Sequence, residues 1–125
     1  MNLVVISGHL GRDLDLRAKP DGAFEGELSL AVKDYTGKGA DQQATYLTTW
    51  VTVVIFGQRA KALQDQLWQG RLVTVKGQLR SKPYRMGEKS VPFMYVAVAG
   101  PDHTIEFDPR ASRSSATAGA EGQGE

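Results

Sequence analysis

The chain has 125 residues, of which 41% are hydrophobic, and a net charge of +1. That length suits one domain with a modest core, and the lack of cysteine excludes disulfides, thiol chemistry and cysteine-ligated metal sites. The apolar run at residues 3–6 is too short for a signal peptide, and no later run approaches a membrane span. We therefore expect a cytoplasmic protein without membrane contact.

The first third of the chain predicts two strands. Residues 3–7 form a short strand, and the glycine-containing segment 8–13 forms a bend. A turn follows at residues 20–22, where proline, aspartate and glycine come together. Residues 24–33 then alternate apolar and polar side chains, which indicates a half-buried second strand.

The third predicted strand, residues 46–56, has two chemically different faces. A polar, glycine-containing loop at residues 34–45 precedes it. Read with period two, its odd positions form an aliphatic face suited to a core: Leu47, Thr49, Val51, Val53 and Ile55. Its even positions carry rings and hydroxyls: Tyr46, Thr48, Trp50, Thr52, Val54 and Phe56. An ordinary solvent-exposed face would not need those rings.

A helix is predicted at residues 58–69, with Ala60, Leu63 and Leu67 on one face and Gly70 as a left-handed C-cap. The fourth strand covers residues 72–80. Its apolar phase is Val73, Val75, Gly77 and Leu79, and the other phase continues past the strand as Leu72, Thr74, Lys76, Gln78, Arg80, Lys82 and Tyr84. Proline and glycine at 83, 87 and 92 predict a mobile connection to a fifth strand at about 93–99.

Three strands, a helix and two further strands are the order of a five-stranded Greek-key OB barrel, an all-β fold with one helix between strands three and four. A small α+β sandwich is the alternative that the pattern leaves open. We expect the domain to cover residues 1–108. Residues 109–125 lack large apolar side chains, which predicts a disordered tail.

Positive charge is concentrated in residues 71–90, which contain six basic residues and the single acid Glu88. Cations on the same sheet as exposed rings are what a stacking platform for single-stranded nucleic acid requires. The alternative interpretation is a solvated hairpin whose lysines protect a sheet edge.

Several motifs, taken in order, resemble the bacterial-type single-stranded DNA-binding proteins. The resemblance covers about residues 2–100 and is carried by the segments 8–17, 28–32, 49–57 and 72–80 together with the glycine that follows the helix. It implies an OB barrel, assembly into homo-oligomers, and sequence-tolerant binding of single-stranded DNA in replication, recombination and repair near the nucleoid. No cofactor is implied.

The resemblance also implies a binding site. The family's stacking aromatics match Trp50, Phe56 and Tyr84, and Tyr35 falls near a fourth. Phosphate contacts are assigned to the neighbouring cations Arg80, Lys82, Lys76, Arg85 and Lys89, with Lys33 and Arg71 as further candidates. Structural alternatives are an interface or outer-core role for Trp50, barrel closure for Phe56 and packing beside Pro83 for Tyr84. Because stacking does not depend on the 2′-hydroxyl, RNA is also a possible ligand.

The chain departs from the family pattern at its end and in its third strand. Well-known members end in an acidic tip that recruits partners, whereas this sequence ends in Gly-Gln-Gly-Glu125 after a short linker. We therefore expect no recruitment by that route, and a plasmid-, phage- or element-borne version or a truncated one. Val51 occupies a position where some members have a tetramer-supporting histidine, which leaves both a dimer and a tetramer open.

The sequence gives less support to other functions. The sequence contains no nucleophile motif, phosphate-binding loop or paired carboxylates with a base, so we expect no enzyme. His9 and His103 lack companions for a metal site. Two binding alternatives stay open: an accessory OB protein, such as a primosomal or recombination-mediator subunit, that acts mainly through protein contacts, and a non-nucleic-acid interaction module. Phe93 and Tyr95 are predicted to face a neighbouring subunit.

Overall fold

The computed structural model describes residues 1–111. Of the predicted tail at 109–125, the part from residue 112 onward lies outside the described residues. The elements are β1 (Val4–Leu10), β2 (Asp15–Ala18), β3 (Phe24–Lys38), β4 (Ala44–Phe56), α1 (Gln58–Ala62), a 3-10 helix (Gln64–Gln66), β5 (Leu72–Met86), β6 (Lys89–Val98) and β7 (Thr104–Glu106). The five predicted strands correspond to β1, β3, β4, β5 and β6. No helix in these 111 residues is long and apolar enough to cross a membrane.

The five long strands close into a barrel. Their order is β1, β3, β4, β6 and β5, and β5 pairs back onto β1. The β4–β6 pairing is parallel, while the other pairings in this ring are antiparallel. This arrangement confirms the predicted five-stranded OB barrel and excludes the α+β sandwich. The core contains the inward side chains of every barrel strand, among them Leu10, Leu28, Val53, Val75 and Val96.

Two long hairpins extend the barrel strands where the sequence predicted loops. β3 and β4 remain paired out to Lys38 and Ala44, so most of the predicted loop at 34–45 is strand. The proposed mobile connection at 83–92 is likewise a hairpin, with its turn at residues 87–88. Because the β3–β4 hairpin projects beyond the core, the aliphatic face of β4 is buried only in its second half. Leu47 is consequently 58% exposed, against the prediction.

Pro83 and Pro92 lie directly opposite each other in the second hairpin. A proline has no N–H, so these two residues cannot exchange a pair of backbone hydrogen bonds and must form a non-hydrogen-bonded pair of the ladder. At such a pair the missing N–H would have pointed away from the partner strand. The two prolines therefore fit within the strands without the loss of any bond between them.

The helix is shorter than the predicted 58–69. α1 ends at Ala62, and the backbone after the 3-10 helix bonds to the β1–β2 connection instead of continuing the helix. Leu14 N–H donates to Leu67 O at 3.0 Å, and Gly70 N–H donates to Leu10 O at 2.7 Å. Ala60 and Leu67 are still buried, as predicted. Tertiary hydrogen bonds thus satisfy the groups that helical bonds would otherwise have used.

Candidate nucleic-acid interface

The ring-bearing side of β4 faces outward from the barrel. In the β3–β4 register Trp50 lies opposite Ala31, and Tyr46 lies opposite Tyr35, so these side chains share one surface of the sheet. Trp50 is 56% exposed and Tyr35 is 59% exposed. The two tyrosines meet edge-on, with ring centroids 5.9 Å apart. Aromatic surface is therefore available on β4 and on the projecting hairpin.

The outward side of β5 carries two successive cations followed by a ring, and β6 places further rings opposite the cations. Arg80 pairs with Tyr95, and Lys82 pairs with Phe93. The Lys82 ammonium lies 5.9 Å from the centroid of the Phe93 ring and 5.5 Å from that of Tyr95. The Tyr84 and Phe93 centroids are 6.3 Å apart. One lysine is thus held among rings, within the range of a cation–π contact.

The two hairpins contribute to one side of the sheet and are joined where β4 pairs with β6. Val54 of β4 lies opposite Ala97 of β6, which in turn lies opposite Gln78 of β5, so the outward sides of the three strands coincide. Phe56 connects them, because the Arg80 guanidinium lies 5.5 Å from its ring centroid. We call this surface the aromatic face and define it by Trp50, Phe56, Tyr84, Phe93, Tyr95, Arg80 and Lys82.

The remaining predicted phosphate contacts do not all lie on the aromatic face. Lys76 lies opposite Val5 of β1 and Thr104 of β7, farther around the barrel. Arg85 lies opposite Ser90, with its side chain on the reverse side of the hairpin from Tyr84. Lys89, opposite Met86, is on the same side as Tyr84 and close to the hairpin tip. The basic segment therefore divides into a central pair and outlying cations.

Arg71, a further candidate for a phosphate contact in the sequence, cannot reach a ligand, because its side chain is only 1% exposed. Its guanidinium lies between the Trp68 and Phe107 rings, 4.0 Å from each centroid. Its Nη1 donates to Gln66 O at 2.8 Å, and its Nη2 donates to Asp108 O at 2.7 Å. This arginine is a structural clamp at one end of β5.

Phe93 and Tyr95 are the binding candidates that the sequence interpretation missed, since it placed them against a subunit neighbour. A signal for their position was available in the sequence. A two-residue turn at 87–88 pairs Met86 with Lys89. Counting away from the turn, backward along β5 and forward along β6, then pairs Lys82 with Phe93. The register was missed because this segment was predicted to be a mobile connection and not a hairpin.

The described residues contain no group of three histidine, aspartate or glutamate side chains that could hold a metal ion together. What this surface offers is flat rings with a few cations beside them. Such a combination can stack planar ligands and neutralise nearby negative charge.

Comparison with known proteins agrees with this geometry. A solved structure of an SSB from Plasmodium falciparum, in complex with ssDNA, superposes with a TM-score of 0.74 at 20% sequence identity. The match covers 86% of this chain and 95% of that one, and it shows a shared fold. The model of the single-strand binding protein family matches residues 1–100. The chain therefore belongs to the single-strand binding protein family.

Proposed function

We propose that this protein binds single-stranded DNA independently of sequence and protects it during replication, recombination or repair. The observation that carries the proposal is the position of Lys82, whose ammonium lies within 6 Å of the centroids of two rings, 5.9 Å from Phe93 and 5.5 Å from Tyr95, on the same surface as Trp50. Membership of the family supports the same ligand.

The mechanism uses what every nucleotide shares, a flat base and a phosphate. Bases stack on Trp50, Phe56 and Tyr84, and Tyr35 extends the path along the β3–β4 hairpin. Each stacked base contributes about 1–3 kcal/mol. Because every base has a π-face, this interaction does not discriminate between sequences.

Phosphates are neutralised mainly by Arg80 and Lys82, which lie among the rings. The bound DNA contacts the outlying cations only where it leaves the aromatic face; these are Lys76, Arg85 and Lys89. Each neutralised phosphate releases condensed counterions, so affinity falls as salt rises. Duplex DNA keeps its bases stacked on each other and cannot offer them to the rings, which predicts a preference for single strands. RNA is a possible ligand of the same contacts, because stacking does not depend on the 2′-hydroxyl.

We also propose that the protein forms a homo-oligomer, either a dimer or a tetramer. Large apolar side chains along β1 and β5 are exposed: Leu3, just before β1, at 52%, Val5 on β1 at 59% and Leu72 on β5 at 55%. The register of β1 against β5 puts Val5 and Leu72 on the same side of the sheet, and exposed apolar side chains grouped on one surface can mark protein contacts. Sedimentation measured over a range of protein concentrations distinguishes the two assemblies from a monomer.

The decisive experiment is a tryptophan fluorescence titration with oligo-dT in the single-tryptophan variants Trp68→Phe and Trp50→Phe. Trp68 packs against Arg71, whereas Trp50 is exposed, so quenching is expected only where Trp50 remains. Binding is expected to weaken with salt and to fall roughly 5- to 150-fold in Trp50→Ala. Oligo-dT binding that does not weaken with salt, or no binding at low salt, would instead favour an accessory OB protein or a protein-binding module.

A further inference from the structure

A gap separates the two hairpins on the aromatic face. β4 and β6 pair only through residues 53–55 and 96–98, and the parts of the two strands that precede these residues are not paired with each other. In the described chain, the earlier part of β4 pairs with β3 alone, and the earlier part of β6 pairs with β5 alone. The space between them, here called the β4–β6 gap, has a volume of about 480 Å³, which lies within the usual range of small-ligand sites.

The gap is lined by apolar and aromatic side chains. Trp50 stands on one side, and Phe93 and Tyr95 stand on the other, with Leu79 and Met94 also lining it. Leu79 is 43% exposed and Met94 is 51% exposed, although both belong to the inward phase of their strands. They are uncovered because the gap opens where the barrel core ends. Asn2 fixes this part of β5, since its amide donates to Leu79 O at 2.8 Å and accepts from Leu79 N–H at 2.7 Å.

We propose that the β4–β6 gap is a nucleobase subsite, in which one base of the bound single strand leaves the stacked path and inserts between Trp50 and Phe93, above Met94. This inference rests on the proposed function and deepens it. Three features favour a base. Trp50 is shared with the stacking surface, Lys82 lies beside Phe93 and Tyr95 to meet the adjoining phosphate, and the thioether of Met94 is polarizable and suits a π-face.

An added peptide strand fits the gap less well than a base. Extending the sheet at this place would use the edge of β6 that faces β4. Pro92 lies on that edge and has no N–H, so an added strand would lack a hydrogen bond there. A base needs no continuous ladder and can use the apolar walls.

Methionine methyl NMR tests the subsite directly, because the chain contains only three methionines, Met1, Met86 and Met94. Met86 is an internal control, since it lies on the same hairpin and is exposed to a similar extent, 61% against 51% for Met94. The full chain is labelled at the methionine methyls, the peaks are assigned with Met86→Leu and Met94→Leu, and a short oligo-dT is added. We expect an upfield shift of the Met94 methyl through the ring current of the base, with a much smaller change at Met86. An abasic oligomer with the same number of phosphates should leave Met94 unshifted.

Affinity measurements on matched variants complete the test. Phe93→Ala is expected to weaken oligo-dT binding on the order of 5- to 100-fold, and Met94→Ala is expected to weaken it less. Met86→Ala should remain within about twofold of wild type, because it removes a comparable methionine from outside the gap.

The outcomes separate the subsite from the proposed function. Quenching of Trp50 by oligo-dT without movement of the Met94 methyl would overturn the subsite and leave single-strand binding intact. A Met94 signal that responds to protein concentration, but not to DNA, would assign the gap to a second copy of the chain and also overturn the subsite. Absence of both quenching and methyl shifts would reject the two proposals together.

Discussion

The six-membered ring of Trp50 lies over the backbone of Gly11, so that a Cβ atom at residue 11 would be 2.8 Å from Trp50 Cζ3. Gly11 is not among the glycines with positive φ, so its backbone can accept a side chain. Only the position of the indole would have to change. The absence of a side chain in the bend after β1 therefore holds open the place of the central aromatic residue.

Gly11→Ala is accordingly expected to weaken binding of oligo-dT several-fold and to shift the Trp50 emission. The fold should be retained, because the clashing atom is the far end of a half-exposed side chain that can rotate. Unfolding in urea should show a change of about 1 kcal/mol or less. Gly100→Ala is the matched control, since its added Cβ would meet only His103 at 3.4 Å. Equal affinity in the two variants would contradict the proposed role of Gly11.

Arg71 is expected to contribute strongly to stability. Arg71→Ala removes a buried guanidinium that stacks between two rings and bonds two backbone carbonyls, so we expect a loss of about 2–5 kcal/mol in the free energy of unfolding. The exposed Arg17, whose Nη2 lies 2.9 Å from Asp15 Oδ2, is the control. Arg17→Ala should leave the urea midpoint close to that of the wild type, because solvent screens this exposed ion pair. Comparable urea midpoints for both variants would argue against the clamp.

The cations are expected to differ in the salt dependence of binding. Lys82→Gln and Arg80→Gln should each lower the slope of log K against log salt by about 0.7, the value for one contact with a single strand. Lys76→Gln should change the slope less, because Lys76 lies beside Val5 and Thr104. Titrations at several salt concentrations measure the slopes. A larger effect at Lys76 than at Lys82 would indicate that the bound DNA runs closer to β1 than proposed.

His9 is expected to make stability depend on pH. Partial burial lowers the pKa of His9 below its ordinary value of 6.5, and the charge of Lys33 lowers it further. The unfolded chain therefore binds a proton more readily than the folded one, so stability is highest above about pH 6.5 and falls as pH decreases through the folded pKa. Urea unfolding between about pH 7.5 and pH 5 should show a smaller decline in His9→Asn. An identical decline in both proteins would assign the effect to other groups.

The barrel could be predicted from the sequence because its signals are local. Alternation along β4 and β5 identifies Val53, Ile55, Val73 and Val75 as core residues, and all four are buried. The aromatic side of β4 was predicted by the same reasoning. Periodicity within one strand is enough to separate its two faces, whichever strand later pairs with it.

Features that depend on distant partners could not be predicted in this way. α1 ends early because the backbone at residues 67–70 bonds to the chain around Leu10 and Leu14, and Arg71 is buried because Phe107 covers it. Neither partner is close in sequence. The place of Phe93 and Tyr95 depended on the hairpin register, which a correctly recognised turn would have supplied.

The opposed prolines of the β5–β6 hairpin have a consequence for solubility. A projecting two-stranded arm with exposed rings is the kind of element that joins other chains edge to edge and seeds aggregates. Pro83 and Pro92 lie at the same level of the arm, so a donor is missing from both of its long edges at one point. An incoming strand cannot form a continuous ladder on either side. The arm can thus display its aromatic side chains to a ligand while its edges resist strand pairing with the arms of other copies.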